Sequence, residues 1–340
     1  MTSEPPPFVS VIIPAYNAAT TIGKCLDALQ HQTYPRERYE VIVVDDGSRD
    51  ATAAVVQGYG VSYLYQRNTG PATARNRGAQ AARGGIILFT DADCVPALDW
   101  LEEMAAALKP AEVAAVKGVY RNGGKSLWTR FAQIEFLERY RLLARHAAID
   151  MIDTYAAGFK KDIFLAFGGF DTSFPVPNNE DTDLSYRMSR KGCKMVFNPN
   201  AIVWHLGHPD TMQKYARTKF LRGYWRMVVY EKHASKMIKD SYTPQTLKLQ
   251  ILLALLALCS LLLAPLSPGP MFGATLLFLA AFLGASAPFM ALAFRQDRAV
   301  GLLSPFFLLV RAEAIGLGAL SRIAEVGWGR FTGRLLKKCC

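Results

Sequence analysis

Charged residues are missing from one long stretch of this 340-residue chain, because none occurs between Leu249 and Phe294. Hydrophobic residues make up 51% of the sequence, and this stretch is where they concentrate. A membrane-spanning helix needs about 20 apolar residues. The segment 265–270 (PLSPGP) interrupts the stretch once, so the sequence predicts a hairpin of two membrane helices, at roughly 247–265 and 271–294. A helical hairpin buried in a soluble core is the alternative.

Cysteine is scarce, and its spacing is irregular. The six cysteines form neither a disulfide framework nor a pattern of metal ligands. The first eight residues are polar and rich in proline, without the pattern of a signal peptide. We therefore expect a reducing, cytoplasmic setting for the residues that precede the hairpin.

Acidic residues are too few to balance the basic ones, and the net charge is +11. The excess gathers beside the hydrophobic part of the chain. Within 211–240 the basic residues are Lys214, Arg217, Lys219, Arg222, Arg226, Lys232, Lys236 and Lys239, interleaved with Phe220, Tyr224, Trp225 and Tyr230. Basic and aromatic residues next to a membrane helix suit an anionic lipid surface. Base-stacking aromatics of a nucleic-acid groove are the rival interpretation, and we expect no nucleic-acid partner.

Strand-like and helix-like segments alternate over the first ninety residues. The predicted strands are 8–14, 39–44, 61–65 and 86–90, and the predicted helices are 20–30, 51–57 and 72–82. This alternation is typical of an α/β protein with a parallel, doubly wound sheet. Ligands of such sheets bind at the carboxyl ends of the strands, where Tyr16, Asp46 and Asp91 occur here.

Two carboxylates, Asp91 and Asp93, follow the apolar strand 86–90. Residues i and i+2 of an extended chain lie on the same side, so both side chains can face one site. Two like charges held close together repel unless a cation lies between them. Hard divalent cations are commonly held by one or two carboxylates together with substrate phosphates. The pair therefore predicts a metal-bound diphosphate, and with it a nucleotide-activated donor. Solvated acids in a turn are the alternative.

Several ordered segments resemble the nucleotide-binding half of family 2 inverting glycosyltransferases. They are 9–17 (VSVIIPAYN), 44–48 (VDDGS), 70–78 (GPATARNRG) and 91–93 (DAD). The segments 168–171 (GGFD) and 179–187 (NEDTDLSYR) resemble the acceptor half of that family. The resemblance covers about residues 8–225. It implies the GT-A fold, a Rossmann-like fold of nucleotide-diphospho-sugar transferases, and a divalent metal, Mn2+ or Mg2+.

The resemblance also implies a role for each matching residue. Pro14, Ala15 and Tyr16 would line the pocket of the nucleotide base, and Asp46 would bind the base, which is usually uracil in this family. Arg75 would lie near the nucleotide, and Asp91 would contact the ribose or the metal. Asp93 and His205 would bind the metal, and Asp181 would be the general base.

The chemistry of an inverting transfer agrees with two of these roles. One base must remove the proton of the acceptor hydroxyl. Repulsion between the adjacent Glu180 and Asp181 can raise one pKa toward that purpose. As an alternative, Asp181 is only an acid that opens a helix running to Arg190. His205 and His208 flank Leu-Gly, and the sequence favours His205 without separating the two.

One motif of the processive polysaccharide synthases in this family is missing. Those enzymes carry Gln-x-x-Arg-Trp before their membrane spans. Here Ala216 stands three residues after Gln213, and Tyr224 precedes Trp225. Transfer of a single sugar is therefore the expected reaction, within glycan or polysaccharide biosynthesis.

The predicted organisation has four parts: a GT-A catalytic domain (1–210), a basic amphipathic interfacial segment (211–246), two transmembrane helices (247–296), and a re-entrant or interfacial helix with a basic tail (297–340). Arg311 and Glu313 lie in the middle of the third apolar stretch, and charges at the centre of a bilayer are costly. Since basic residues accumulate on the cytoplasmic side, the catalytic domain is expected to face the cytoplasm from a multi-pass protein of the cytoplasmic membrane.

The prediction for function is a membrane-anchored, metal-dependent glycosyltransferase. It would move one sugar from a nucleotide sugar, UDP-linked as is usual in the family, to a membrane-associated, lipid-linked acceptor. A nucleotidyltransferase of similar layout is one alternative, although it would usually need a glycine-rich basic loop where this chain has 14–17 (PAYN). A non-catalytic membrane scaffold is the other, and it would not need Asp91, Asp93, Asp181 and His205 together.

Overall fold

The computed structural model describes residues 5–174 and 179–338, with side chains described as far as Val326. The chain divides into two compact units. Unit 1 contains the residues up to Gly123 together with Tyr140–His208, and unit 2 contains Gly124–Arg139 together with the residues from Pro209 onward.

The first part of unit 1 confirms the predicted alternation. Its elements are β1 (Val9–Ala15), α1 (Ile22–Gln30), β2 (Tyr39–Asp45), α2 (Thr52–Gln57), β3 (Ser62–Tyr65), α3 (Pro71–Ala81) and β4 (Ile86–Phe89). These four strands are all parallel and lie in the order β3-β2-β1-β4. Nearly every residue of β1, β2 and β4 is buried, as expected for strands covered on both faces.

The remainder of unit 1 makes the sheet mixed rather than wholly parallel. Its elements are β5 (Cys94–Pro96), α4 (Trp100–Leu108), β6 (Val113–Asn122), β7 (Ala157–Lys160), α6 (Lys161–Ala166), α7 (Glu180–Arg190) and β8 (Lys194–His205). The full order is β3-β2-β1-β4-β7-β6-β8-β5, in which β7 runs antiparallel to both β4 and β6. The four-residue β7 (AGFK) is too short to show an alternating pattern, so no local pattern predicts this reversal.

Helix α5 (Leu127–Leu143) contributes to both units, whereas the predicted catalytic domain of 1–210 contains all of it; that domain assignment stays a prediction. Its first part, up to Arg139, belongs to unit 2. The ring of Phe131 packs 5.5 Å from Phe289 and 5.0 Å from Phe307, measured between centroids. The apolar stripe of α5 is therefore part of the core of unit 2.

Unit 2 is helical over its described residues. After α5 come α8 (Met212–Lys232), α9 (Ala234–Ile238), α10 (Gln245–Leu263), α11 (Pro268–Gln296) and α12 (Arg298–Lys338). The helices α10 and α11 match the predicted hairpin, and both are long and apolar enough to cross a membrane. The segment Arg298–Val326 of α12 also meets that criterion, so the structure offers three candidate spans where the sequence predicted two.

The charge of Arg311, which in the sequence counted against a third membrane span, has partners within the protein. Arg311 is 2% exposed, and it donates hydrogen bonds to Glu135 and Gln250, so its charge is paired inside unit 2. Helix α12 is continuous over Arg298–Lys338, and its assignment as a re-entrant or interfacial helix stays a prediction. The side chains of the basic tail and both terminal cysteines, Cys339 and Cys340, lie outside the described residues.

The predicted basic segment forms α8 and α9, but its cations are not all exposed. Lys219 is 5% exposed and donates to Glu135 Oε1 at 2.9 Å, so it belongs to the interior of unit 2. Lys214, Arg217, Arg222 and Lys232 are exposed on α8.

Candidate active site

The two predicted carboxylates that follow β4, Asp91 and Asp93, contact different side chains. Asp91 Oδ1 accepts a hydrogen bond from Arg75 at 2.7 Å. Asp93 Oδ2 lies 3.4 Å from Nε2 of His205. The pairing of β5 with β8 causes the second contact, because it places Cys94 directly opposite His205.

Asp93 and His205 belong to a group that can hold a metal ion. Ligand atoms of Asp93, Cys94 and His205 all lie within 4.8 Å of one another. Carboxylate and imidazole suit Mn2+ as well as softer cations. Burial raises the pKa of Asp93, while His205 opposes this rise and the charge of Asp91 adds to it. A cation beside these groups would favour their ionised forms.

A glycine keeps the approach to this group open. A Cβ atom on Gly207 would lie 2.7 Å from Asp93 Oδ2, closer than side chains tolerate. The Gly207 N–H also donates to Nδ1 of His205 at 3.0 Å, which leaves the ring proton on Nε2, facing Asp93. A cation bound at Nε2 would displace that proton. The donor atoms and the space beside them therefore fit a divalent cation.

The structure distinguishes His205 from His208 as the candidate metal ligand. The Nδ1 atom of His208 lies 2.6 Å from the hydroxyl of Tyr120. His208 lies outside the metal-holding group, whereas His205 is part of it. Asp91, predicted as a ligand, is also outside that group and is engaged by Arg75.

Arg75 connects the two halves of the site. It is 3% exposed, and besides Asp91 it donates to Glu180 Oε1 at 2.9 Å. Its helix, α3, lies directly on β1, because a Cβ atom on Gly78 would be 2.4 Å from a methyl carbon of Ile12. This close packing fixes the arginine between the carboxyl end of β4 and the first turn of α7. The sequence predicted Arg75 near the nucleotide but not this bridge.

Asp181 lies beside Glu180 in the first turn of α7. Its Oδ1 accepts the backbone N–H of Thr182 at 2.7 Å. Burial, followed by the charges of Glu180 and Asp153, raises the pKa of Asp181 to about 7. The Thr182 N–H and Arg75 oppose the rise but do not cancel it. A carboxylate with this pKa can accept a proton near neutral pH, as a general base must.

Asp153 was not predicted, and no sequence motif marks it. Its Oδ2 accepts a hydrogen bond from the hydroxyl of Tyr155 at 2.9 Å and forms an ion pair with Lys117. Lys117 is wholly buried in β6 and also donates to the Tyr155 hydroxyl at 2.9 Å. The neighbouring Ile152 N–H donates to Ser185 of α7 at 3.0 Å, so this segment is tied to the helix that carries Asp181.

The residues predicted for the nucleotide base end β1 and β2. Ala15 is buried and Tyr16 is 50% exposed, with Pro14 between these extremes. Asp46 is 4% exposed, and its carboxylate accepts hydrogen bonds from the backbone N–H groups of Thr69 and Gly70 at 2.9 Å. Asp46 thus holds the loop that leads into α3, a structural task that the sequence did not predict.

The model of the family "Glycosyl transferase family 2" matches residues 10–166. Glycosyltransferase AglE of Haloferax volcanii is 31% identical over 217 residues, which are 60% of this chain and 68% of that protein. The chain therefore belongs to glycosyltransferase family 2, and it is a glycosyltransferase. Family membership leaves the nucleotidyltransferase and the scaffold without support.

Two further comparisons agree with the class and the fold. Validoxylamine A glucosyltransferase of Streptomyces hygroscopicus subsp. jinggangensis is 29% identical over 223 residues, 56% of this chain and 53% of that protein. The mannosyltransferase PcManGT of Pyrobaculum calidifontis, solved with GDP-Man and Mn2+, superimposes with a TM-score of 0.60 at 22% identity. That match covers 94% of this chain and 87% of the other, which establishes the GT-A fold.

Proposed function

We propose that this glycosyltransferase is metal-dependent and inverting, and that it transfers one sugar from a nucleotide-diphosphate sugar to a membrane-associated, lipid-linked acceptor. The observation that carries the proposal is the meeting of Asp93 and His205, 3.4 Å apart, at the edge of the sheet that also presents Asp91. Arg75 bridges that edge to the helix of Asp181.

Asp93 and His205 are the proposed holders of the divalent cation, Mn2+ or Mg2+. Such a cation would neutralise charge on the leaving diphosphate. Asp91 is proposed to contact the ribose or the same cation, with its direction fixed by Arg75. Burial raises the pKa of Asp93 and the charge of Asp91 adds to this rise, so a bound cation would favour its ionised form.

Asp181 is the proposed general base. It would take the proton of the acceptor hydroxyl as that oxygen attacks the sugar from the side opposite the leaving group. A single displacement of this kind inverts the configuration of the sugar carbon. The pKa of about 7 supports the role, because a base works best when its pKa is near the working pH.

Pro14, Ala15, Tyr16 and Asp46 are proposed to surround the nucleotide base. UDP is the donor nucleotide that the sequence favours, whereas the similar PcManGT structure contains GDP-Man. Tyr16 is exposed enough to stack on a base. A screen of donors must therefore include both nucleotides.

Membrane attachment is proposed through unit 2. Three helices are long and apolar enough to cross a bilayer, and α8 exposes several cations that suit anionic lipid headgroups. Because basic residues accumulate on the cytoplasmic side of membrane helices, their excess beside the hairpin supports a catalytic domain on the cytoplasmic side of the cytoplasmic membrane. A lipid-linked acceptor then explains why the enzyme is held at that surface.

The reaction is tested by a donor screen with purified full-length protein. UDP- and GDP-sugars are offered with Mn2+ or Mg2+, with a polyprenyl phosphate and a lipid-linked glycan as acceptors. We expect one donor to be used, cation-dependent transfer, and an inverted anomeric configuration of the product by NMR. Retained configuration, or full activity in EDTA, would contradict the proposed mechanism.

Orientation is tested with the terminal cysteines. In a Cys259→Ser background, a membrane-impermeant thiol reagent is added to right-side-out and inside-out vesicles. Labelling of Cys339 or Cys340 in inside-out vesicles alone is expected if α12 stays at the interface. Labelling from the outside in right-side-out vesicles would show that α12 crosses the membrane.

A further inference from the structure

The group that can hold the cation contains a sulfur atom. Cys94 lies next to Asp93 at the start of β5, and the antiparallel register pairs it with His205 of β8. A ligand atom from each of the three residues lies within 4.8 Å of the other two. The irregular cysteine spacing gave no reason to expect a metal ligand here, because His205 reaches the sulfur only through the strand pairing.

The three ligand types differ in their preferred cations. Mg2+ and Mn2+ favour oxygen ligands, whereas a thiolate, an imidazole and a carboxylate together form the tetrahedral sites typical of Zn2+. Bonds of about 2.0–2.3 Å to zinc give a ligand-to-ligand edge of about 3.3–3.8 Å in a tetrahedron. The distance of 3.4 Å between Asp93 Oδ2 and His205 Nε2 already matches such an edge.

Burial places the sulfur on the inner side of the group. Cys94 is wholly buried, while the side chains of Asp93 and His205 are 35% and 18% exposed. A cation held by all three would have protein on one side and solvent on the other. The absent side chain of Gly207 keeps space beside Asp93 for a fourth ligand.

We propose that Asp93, Cys94 and His205 form a mixed-ligand site that binds thiophilic divalent cations, Zn2+ and Cd2+, more tightly than Mn2+ or Mg2+. Affinity for a given set of ligands rises from Mn2+ to Zn2+, and a sulfur ligand widens that difference. Zn2+ would then exclude the cation of the transfer reaction, a consequence that rests on the proposed function. Cation binding itself does not.

The test is spectroscopic and needs no sugar donor. Full-length protein in detergent is titrated with Co2+, whose bond to a thiolate gives an intense charge-transfer band in the near ultraviolet. We expect this band in the wild type, its loss in Cys94→Ser, and its retention in Cys25→Ser, a matched control that alters another wholly buried cysteine. Zn2+ affinity should fall at least about tenfold in Cys94→Ser, as for loss of one direct ligand, with Mn2+ affinity changed less.

Other results of these measurements would contradict either this proposal or the proposed function. If the wild type binds Co2+ without the band, Cys94 is not a ligand and the proposal is overturned. Because that measurement uses only the wild-type protein, it tests the proposal even if Cys94→Ser fails to fold. A Co2+ band in a protein whose transfer ignores Mn2+ and Mg2+ would refute the proposed function and leave this site standing. Mn2+-dependent transfer without the band would do the opposite.

Discussion

Each unit contains a group of buried charged side chains, and the two groups have different roles. In unit 2, Glu135 is 1% exposed and accepts hydrogen bonds from Tyr215, Lys219 and Arg311, at 2.8, 2.9 and 3.3 Å. Its pKa is lowered, because the charges of Lys219, Arg311 and Arg139 outweigh its burial. This carboxylate is compensated, and it ties α5 to α8 and α12.

The group in unit 1 is not compensated in the same way. Burial, followed by the charges of Glu180 and Asp153, raises the pKa of Asp181 to about 7. Burial also raises the pKa of Asp93, and the charge of Asp91 adds to this rise. Carboxylates that face one another cost stability, and a cation or a transferred proton relieves that cost. In this protein the buried carboxylate whose pKa is lowered by surrounding cations has a structural role, whereas the carboxylates with a raised pKa, Asp181 and Asp93, belong to the proposed reactive site.

The largest expected effect comes from removing the proposed base. Asp181→Asn should lower transfer by about 100- to 10,000-fold, the range for loss of general base catalysis, while nucleotide binding stays nearly unchanged. Thermal stability should be equal or higher at pH 8, because one of the repelling charges is gone. Transfer rates, nucleotide titration and melting temperature together check this.

The control for this variant is Asp162→Asn. Asp162 is an exposed acid in the first turn of α6, so its loss removes only a favourable contact with a helix N-terminus. Transfer should be unaffected. If Asp181→Asn loses nucleotide binding as strongly as transfer, Asp181 is a structural acid and the comparison between the two units fails.

Glu135→Gln tests the compensated group with the same kind of substitution. It leaves Lys219 and Arg311 buried without their carboxylate, so unfolding should become easier by about 3–5 kcal/mol. Denaturation in detergent measures this change. Glu231→Gln is the control, because Glu231 pairs with Arg322 while 45% exposed and should matter by at most about 1 kcal/mol. Equal effects of the two variants would show that Glu135 is not a structural anchor.

The two groups should respond to pH in opposite directions. The pKa of Asp181 is about 7 in the folded chain and about 3.9 when unfolded, so its contribution to stability declines as pH rises between those values. The pKa of Glu135 is lowered by folding, so its contribution is present above about pH 4.3 and is lost as pH falls. The stability gained by Asp181→Asn should therefore grow from pH 5 to pH 8.

The pH dependence of the transfer rate also reports the ionisation of Asp181. Transfer should rise with pH through about 7 as Asp181 becomes ionised. Asp153→Asn removes a repelling charge and should move this rise to lower pH. A rise at unchanged pH in that variant would show that Asp153 does not act on the base.

The smallest expected effect concerns helix packing in unit 2. A Cβ atom on Gly318 would lie 2.0 Å from the carbonyl oxygen of Phe220, so α8 and α12 touch through their backbones. Gly318→Ala should destabilise the protein by about 1–3 kcal/mol, as overpacking does. Gly284→Ala, where nothing lies within 4 Å, is the control and should be neutral or stabilising. A neutral Gly318→Ala would show that α8 and α12 separate at little cost.

Local sequence was enough to locate most of the elements. Buried apolar runs predicted β1, β2 and β4 to within a residue or two at each end. The antiparallel β7 was missed, because its four residues carry no periodic pattern. Most of α5 packs into unit 2, and no local pattern in its sequence indicates which unit it joins.

What the sequence determined by itself was the alternation of strands and helices, the carboxylates at strand ends and the uncharged helices, since each is a property of neighbouring residues. Only the tertiary structure decided that His205, and not His208, contacts Asp93, that Arg75 pairs with both Asp91 and Glu180, and that Glu135 pairs with Lys219 and Arg311. These contacts join residues far apart in the chain. Strand order and helix packing bring them together, and neither is written in a local pattern.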